Sequence, residues 1–184
     1  MPNWASIEYK IVGKPKQLEN LYKRIDKLFG NHVRELWLIK IADKFNIYPP
    51  ENKHIRGYIN VIDYNPGNDY MTIQYDGAWG EQEGFRYILE QKYKGIKIYF
   101  YEEEIGNDIY FSNDIEHIFF DFKYIVNLYD FNEYFCDLNE TLKFIKQYTG
   151  LDDINEENYN ELLDEYNKES DEPCYIKEVC YANV

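Results

Sequence analysis

Histidine, serine and cysteine are scarce in this chain, with three of each. His32, His54 and His117 stand far apart and form no H-x-x-x-H or H-x-x-E-H pair, which leaves zincin-type hydrolysis unsupported. Each reads as a surface or turn residue. None of Ser6, Ser112 and Ser170 sits in a G-x-S-x-G elbow. The chain has no Walker loop ending in Gly-Lys-Ser/Thr and no G-x-G-x-x-G after a strand, so both nucleotide fingerprints are missing. Cys136, Cys174 and Cys180 are odd in number, which argues against a secreted disulfide framework. Cys174 and Cys180 share one face of a predicted strand, where a bridge or a metal site competes with the plainer expectation of two buried thiols. No stretch approaches the ~18 consecutive apolar residues of a membrane-spanning helix. Residues 1–8 lack the basic region and apolar core of a secretory signal. The expectation is a cytoplasmic protein without membrane association.

Alanine and arginine are also few, while Asn, Ile, Tyr and Lys abound, as in proteins of AT-rich genomes. The 20 tyrosines therefore say little about function by themselves. A hydrophobic share of 45% and an aromatic share of 18% argue for a folded chain despite a net charge of −14. At 184 residues one domain is expected. Its core would span about 1–130 and its helical C-terminal extension about 131–184.

Charge is distributed unevenly. Residues 1–60 hold eleven Lys or Arg against six Asp or Glu, a net of +5, whereas the other 124 residues hold nine against 28, a net of −19. Such a balance repels phosphates, so direct nucleic-acid binding and anionic membranes are disfavoured. A basic protein partner would instead be drawn in. The plainer explanation is that acidic surfaces keep small proteins soluble.

The pattern is organised around residues 70–111. Met71, Ile73 and Tyr75 alternate with Tyr70, Thr72 and Gln74, the period of a strand. The glycine loop Asp76-Gly77-Ala78-Trp79-Gly80 follows, then a helix over 81–93 carrying Phe85, Ile88, Leu89 and Tyr93 on one face. Ile96 to Tyr101 alternates again, and Gly106-Asn107-Asp108 turns the chain into Ile109-Tyr110-Phe111. Ahead of this unit, Ile7, Tyr9 and Ile11 mark a strand ending at Gly13. Pro15 opens a helix with the stripe Leu18, Leu21, Ile25, Leu28, Phe29, closed by Gly30. Residues 32–46 fit a second helix through Val33, Leu36, Trp37, Ile41 and Phe45, although 36–39 also suits a buried strand. Residues 55–64 read as a strand, with Tyr58, Asn60 and Ile62 on one face, forming a hairpin with the strand from Tyr70.

Beyond the unit, 115–129 predicts one or two strands, and the nearest thing to a boundary is 129–137. Asp137 and Glu140 form a capping box for a helix ending at Gly150. Asn155 predicts the cap of a last helix, and Cys174 to Tyr181 a last strand. The fold class is α+β: a ferredoxin-like antiparallel sheet with helices on one face, extended by C-terminal helices.

Candidate sites are few. Asp63, Asn65 and Asp69 suggest a calcium loop, but the fifth position is Gly67 and the twelfth Gln74 where a bidentate Glu is required. Glu102, Glu103 and Glu104 end a strand beside a turn and could bind a cation or act as acid and base; a solvated strand end is the plainer reading. Asp152, Asp153, Glu156 and Glu157 form an acidic cluster that a helix dipole also explains. Trp79 is a candidate partner anchor, although a loop tryptophan more often folds back on its own core.

The opening Met1-Pro2-Asn3, the strand and Gly13 before the first helix, Ala78-Trp79 after a strand, and Glu104 with Gly106 before Tyr110-Phe111 together resemble a family of uncharacterised phage and mobile-element proteins, the Api-like proteins. The resemblance covers most of residues 1–112. It implies a ferredoxin-like domain and carries over no catalytic residue. The expected function is a non-enzymatic acidic interaction protein without cofactor. It would occupy a basic nucleic-acid-binding surface or neutralise a basic toxin, using Trp79, Glu102–Glu104 and the Asp152, Asp153, Glu156, Glu157 cluster. The alternative is a small-molecule-binding module in which Trp79 and sheet tyrosines line a pocket.

Overall fold

The computed structural model describes residues 3–30 and 35–181; of the positions singled out above, Met1, Pro2, His32 and Val33 lie outside them. The class is α+β, with a large, mostly antiparallel sheet and five α-helices among the described residues. The chain divides into two compact units, one within Met1–Ile115 and the other Glu116–Tyr181.

In the first unit the elements are β1 (Trp4–Val12), α1 (Pro15–Phe29), β2 (Leu36–Trp37), α2 (Leu38–Phe45), β3 (Gly57–Asp63), β4 (Tyr70–Ala78), α3 (Glu83–Lys92), β5 (Lys97–Glu104) and β6 (Ile109–Ser112). Six strands of the main sheet run in the order β6-β5-β1-β4-β3-β2, every neighbouring pair antiparallel. Alternation decides the faces. Ala5, Ile7, Tyr9 and Ile11 of β1 are buried, and their register partners Met71, Ile73 and Tyr75 on β4 and Ile98 and Phe100 on β5 share that face. Leu18, Leu21 and Ile25 of α1, Leu38 and Ile41 of α2, and Phe85, Ile88 and Leu89 of α3 complete the same core. Trp4, Ser6, Glu8 and Lys10 therefore point to the opposite face of the sheet.

Several boundaries differ from the expected ones. β1 begins at Trp4, and β4 runs on through Asp76, Gly77 and Ala78, because Trp4 and Ala5 pair with Ala78 and Gly77 while Gly57 pairs with Gly77 from the other side. The loop is thereby cut to 79–82 and α3 starts two residues late. In the described part of 32–46, the alternative strand holds for Leu36 and Trp37, which pair with Ile59 and Tyr58 as β2, and the expected helix is α2. In β3 the register shifts between Ile59 and Val61, which returns Ile62 from the expected Tyr58 face to the core.

The second unit holds β7 (Tyr124–Asn127), β8 (Asn132–Phe135), α4 (Leu138–Thr149), α5 (Tyr159–Glu169), β9 (Tyr175–Glu178) and the two-residue β10 (Cys180–Tyr181). β8, β7 and β9 form an antiparallel sheet over a core of Val126, Leu142, Ile145, Ile154, Leu163 and Cys174. Asp137 caps α4 as expected, accepting from the Glu140 backbone N–H at 2.9 Å, and Gly150 ends it at φ 75°. β8 occupies the stretch read as a boundary. α5 starts at Tyr159 behind Asn158, while the Asn155 side chain accepts from Glu157 N–H at 2.9 Å in the turn ahead.

The expectation of two buried thiols fails at Cys180. Val179 is buried and breaks the period of two, so Cys174 is buried and Cys180 exposed, and both are free thiols. Burial pushes the Cys174 thiol up to about 12, which makes it inert.

Candidate functional site

All three tryptophans of the chain lie at one corner of the first unit's sheet. Trp4 opens β1 opposite Ala78, Trp79 follows Ala78, and Trp37 pairs with Tyr58 on β3. The Tyr58 ring lies 5.3 Å from that of Trp4 and 5.6 Å from that of Trp37, centroid to centroid. Arg56, two residues before Tyr58, stands 5.2 Å over the Trp79 ring. Trp4, Trp37 and Trp79 are 40%, 43% and 62% exposed. Converging exposed indoles are the composition of a binding hot spot rather than of a core, where these large side chains would be covered. The expectation that Trp79 folds back on its own core is therefore corrected.

Trp79 also has φ 64°, a left-handed conformation that costs a bulky residue about 1 kcal/mol. Among the described residues its contacts are the Arg56 guanidinium and a backbone hydrogen bond to Asn3 C=O at 2.9 Å. Strain at an exposed aromatic points to a role outside folding.

A buried polar scaffold holds the loop in this shape. Gln82 is 1% exposed; its side-chain amide donates to Ala78 C=O at 2.9 Å and Gly80 C=O at 2.7 Å, and its carbonyl accepts from Arg56 N–H at 2.6 Å. One side chain thus ties both flanks of Trp79 to the strand that carries Arg56. The Gln82 N–H donates to the Tyr75 hydroxyl at 3.1 Å, and Glu102 accepts from Glu81 N–H at 2.9 Å. Gly80, at φ 109°, sits so close that a Cβ there would stand 2.6 Å from Glu102 Oε1. Glu81 accepts from the Tyr9 hydroxyl and pairs with Arg86 at 3.3 Å.

Burial raises the pKa of Glu81 against the lowering influence of Arg86 and Tyr9, and raises that of Glu102 against its backbone hydrogen bond. A carboxyl whose pKa rises on folding holds its proton more tightly when folded. Its contribution to stability is complete below the ordinary 4.5 and is lost as pH rises through the raised value. Unfolding in urea followed across that window should show stability falling with pH, and a shallower fall in Glu81→Gln and Glu102→Gln. Equal slopes in all three proteins would mean that other groups set the dependence.

The expected strand-end cluster is not a cluster. Glu102 and Glu104 are buried on the core face, Glu104 accepting from Asn107, while Glu103 points to the other face. The solvated strand end is thus corrected for two of the three; donors at the Glu81 N–H and the Asn107 amide make their burial tolerable. Asp152, Asp153, Glu156 and Glu157 are all exposed in the second unit. Glu156 and Glu157 border a cleft of about 470 Å³ together with Lys143 and Lys146. Two further clefts, of about 800 Å³ beside Leu162 and Tyr166 and about 310 Å³ beside Arg86 and Tyr87, are not lined by Trp79.

Trp4, Trp37, Arg56, Tyr58 and Gln82 were not legible as site residues. A pair of register partners 21 positions apart, Trp37 and Tyr58, leaves no local signal. Among the described residues no three or more His, Cys, Asp or Glu are placed to hold a metal ion, and no helix is long and apolar enough to cross a membrane. No family model, curated protein or solved structure matches the chain.

Proposed function

We propose that this chain is a non-enzymatic, acidic interaction protein of phage or mobile-element type that docks a basic protein through the tryptophan corner. The carrying observation is that the only three tryptophans are exposed at one corner of the sheet, with the Trp79 loop held by the buried Gln82 side chain. Preorganised aromatic anchors lose little freedom on binding, which is how a small surface gains affinity. The net charge of −14 supports a basic partner by steering its approach. We read the central β1-α1-β3-β4-α3-β5 path, with strand order β5-β1-β4-β3, as a ferredoxin-like core whose sheet face opposite the core carries Trp4 and Tyr58 at this corner. A partner that itself binds nucleic acid, or a basic toxin, has the required charge.

Capture from nuclease-treated lysate of the native host, eluted by a salt gradient, tests this reading. A basic protein released at moderate salt is the expected outcome; an empty capture would move weight to a small-molecule ligand and a metabolite screen. Charge reversal at Asp152, Asp153, Glu156 and Glu157 should slow association by about tenfold at low salt and flatten its salt dependence. An unchanged association rate would remove this cluster from the steering surface.

A further inference from the structure

The Trp4–Tyr58–Trp37 face differs from the Trp79 side of the same corner in one respect. At Trp79 a cation is already in place, the Arg56 guanidinium 5.2 Å above the ring. At the Tyr58 side the described neighbours are acidic. Asp76 is the register partner of Tyr58 on β4, and Glu35, exposed just ahead of β2, adds to the negative field there. The tyrosine pKa is raised first by the Asp76 hydrogen bond, then by burial, then by the charges of Asp76 and Glu35. Along the sheet the next charges on this face are Glu103, opposite Ser6 in the same row, and Glu8 and Lys10, which pair with each other at 2.7 Å. Three electron-rich rings thus lie beside two carboxylates without a cation of their own drawn onto them by any described contact.

We propose that the Trp4–Tyr58–Trp37 face takes an arginine side chain of the basic partner, its guanidinium stacked on the rings and its edge hydrogen-bonded to the Asp76 carboxylate. This rests on the reading of the chain as a partner for a basic protein and names the group recognised. A planar guanidinium suits both halves of the surface, stacking on aromatic faces and matching a carboxylate with parallel N–H donors, whereas an ammonium is a strongly hydrated point charge. Asp76 has capacity for it, since an ionised carboxylate offers about four acceptor positions. The chain's own Arg56 on Trp79 displays the same stacking a few residues away. Rings that also stack bases would suit a nucleic acid, but Asp76 and Glu35 oppose a phosphate, and Arg56 is engaged with Trp79.

Because every tryptophan belongs to this corner, the three indole N–H signals in proton–nitrogen correlation spectra report on it alone. Short capped peptides alternating glycine with arginine, lysine or glutamate, and a short single-stranded oligonucleotide, serve as probes. The arginine peptide should move the Trp4 and Trp37 signals more than that of Trp79 and bind about fivefold more tightly than the lysine peptide. Asp76→Asn should weaken it about tenfold, and Trp37→Ala about fivefold. Trp37 is exposed, so its variant carries the test even if Asp76→Asn fails to fold. Arginine and lysine peptides that bind equally, lose affinity in salt and leave the indole signals unmoved would overturn the arginine site while the charge-led reading stands. Failure of both peptides at low salt would overturn both. Indole shifts produced by the oligonucleotide or the glutamate peptide but not by arginine would replace the proposed occupant.

Discussion

Gln82→Ala should destabilise the protein by about 3–4 kcal/mol, seen as a fall in the urea midpoint with an unchanged slope. The reason is the number of groups it strands. Ala78 C=O, Gly80 C=O and Arg56 N–H each lose a buried partner, and each such loss costs about 1–3 kcal/mol. A water entering the space would recover part of this, which places the expectation toward the lower end of the sum. The same variant should release the Trp79 loop, so its indole signal should broaden or move while those of Trp4 and Trp37 stay. A loss below about 1 kcal/mol would mean that the loop holds its shape without the clamp.

The second large effect is on binding. Trp37→Ala combined with Trp79→Ala should weaken the captured partner by at least about 100-fold, taking about 2 kcal/mol for each anchor and allowing for incomplete additivity. Stability should change by less than about 1 kcal/mol per site, because both rings are more than two-fifths exposed and lose only a ring contact or the Arg56 stack. That separation marks a surface kept for a partner. Titration calorimetry against the purified partner, beside urea unfolding, reads both quantities. A variant that binds normally would exclude these rings from the interface.

How much of this was legible depended on whether the signal was local. The stripe from Leu18 to Ile25 with Pro15 ahead of it, and the pairing of Asp137 with Glu140, lie within one or two turns, and α1 and α4 formed where those residues indicate. The alternation in β1, β4 and β5 likewise survives in the antiparallel sheet. Pairing was harder to see. β2 exists because Leu36 and Trp37 meet Ile59 and Tyr58, and the shift after Ile59 inverts Ile62 in a strand whose sequence shows no glycine or proline at that point.

The site followed the same rule. Trp79 stood out because glycines flank its segment, but its companions come from β1, β2 and β3, and only register brings them together. Glu102 looked like a solvated residue because its donor, Glu81 N–H, lies 21 residues away. Gln82 looked like an ordinary polar residue before a helix, yet it is the most connected side chain of the corner. Neither charge counts nor periodicity could announce that role.

The account stands or falls on whether the exposed rings select the partner. Wild type and a Trp4→Ala, Trp37→Ala, Trp79→Ala variant, each shown to be folded, should be used as bait in parallel captures from nuclease-treated host lysate. The account predicts one basic protein retained by the wild type and lost from the variant. A protein held equally by both baits would contradict it.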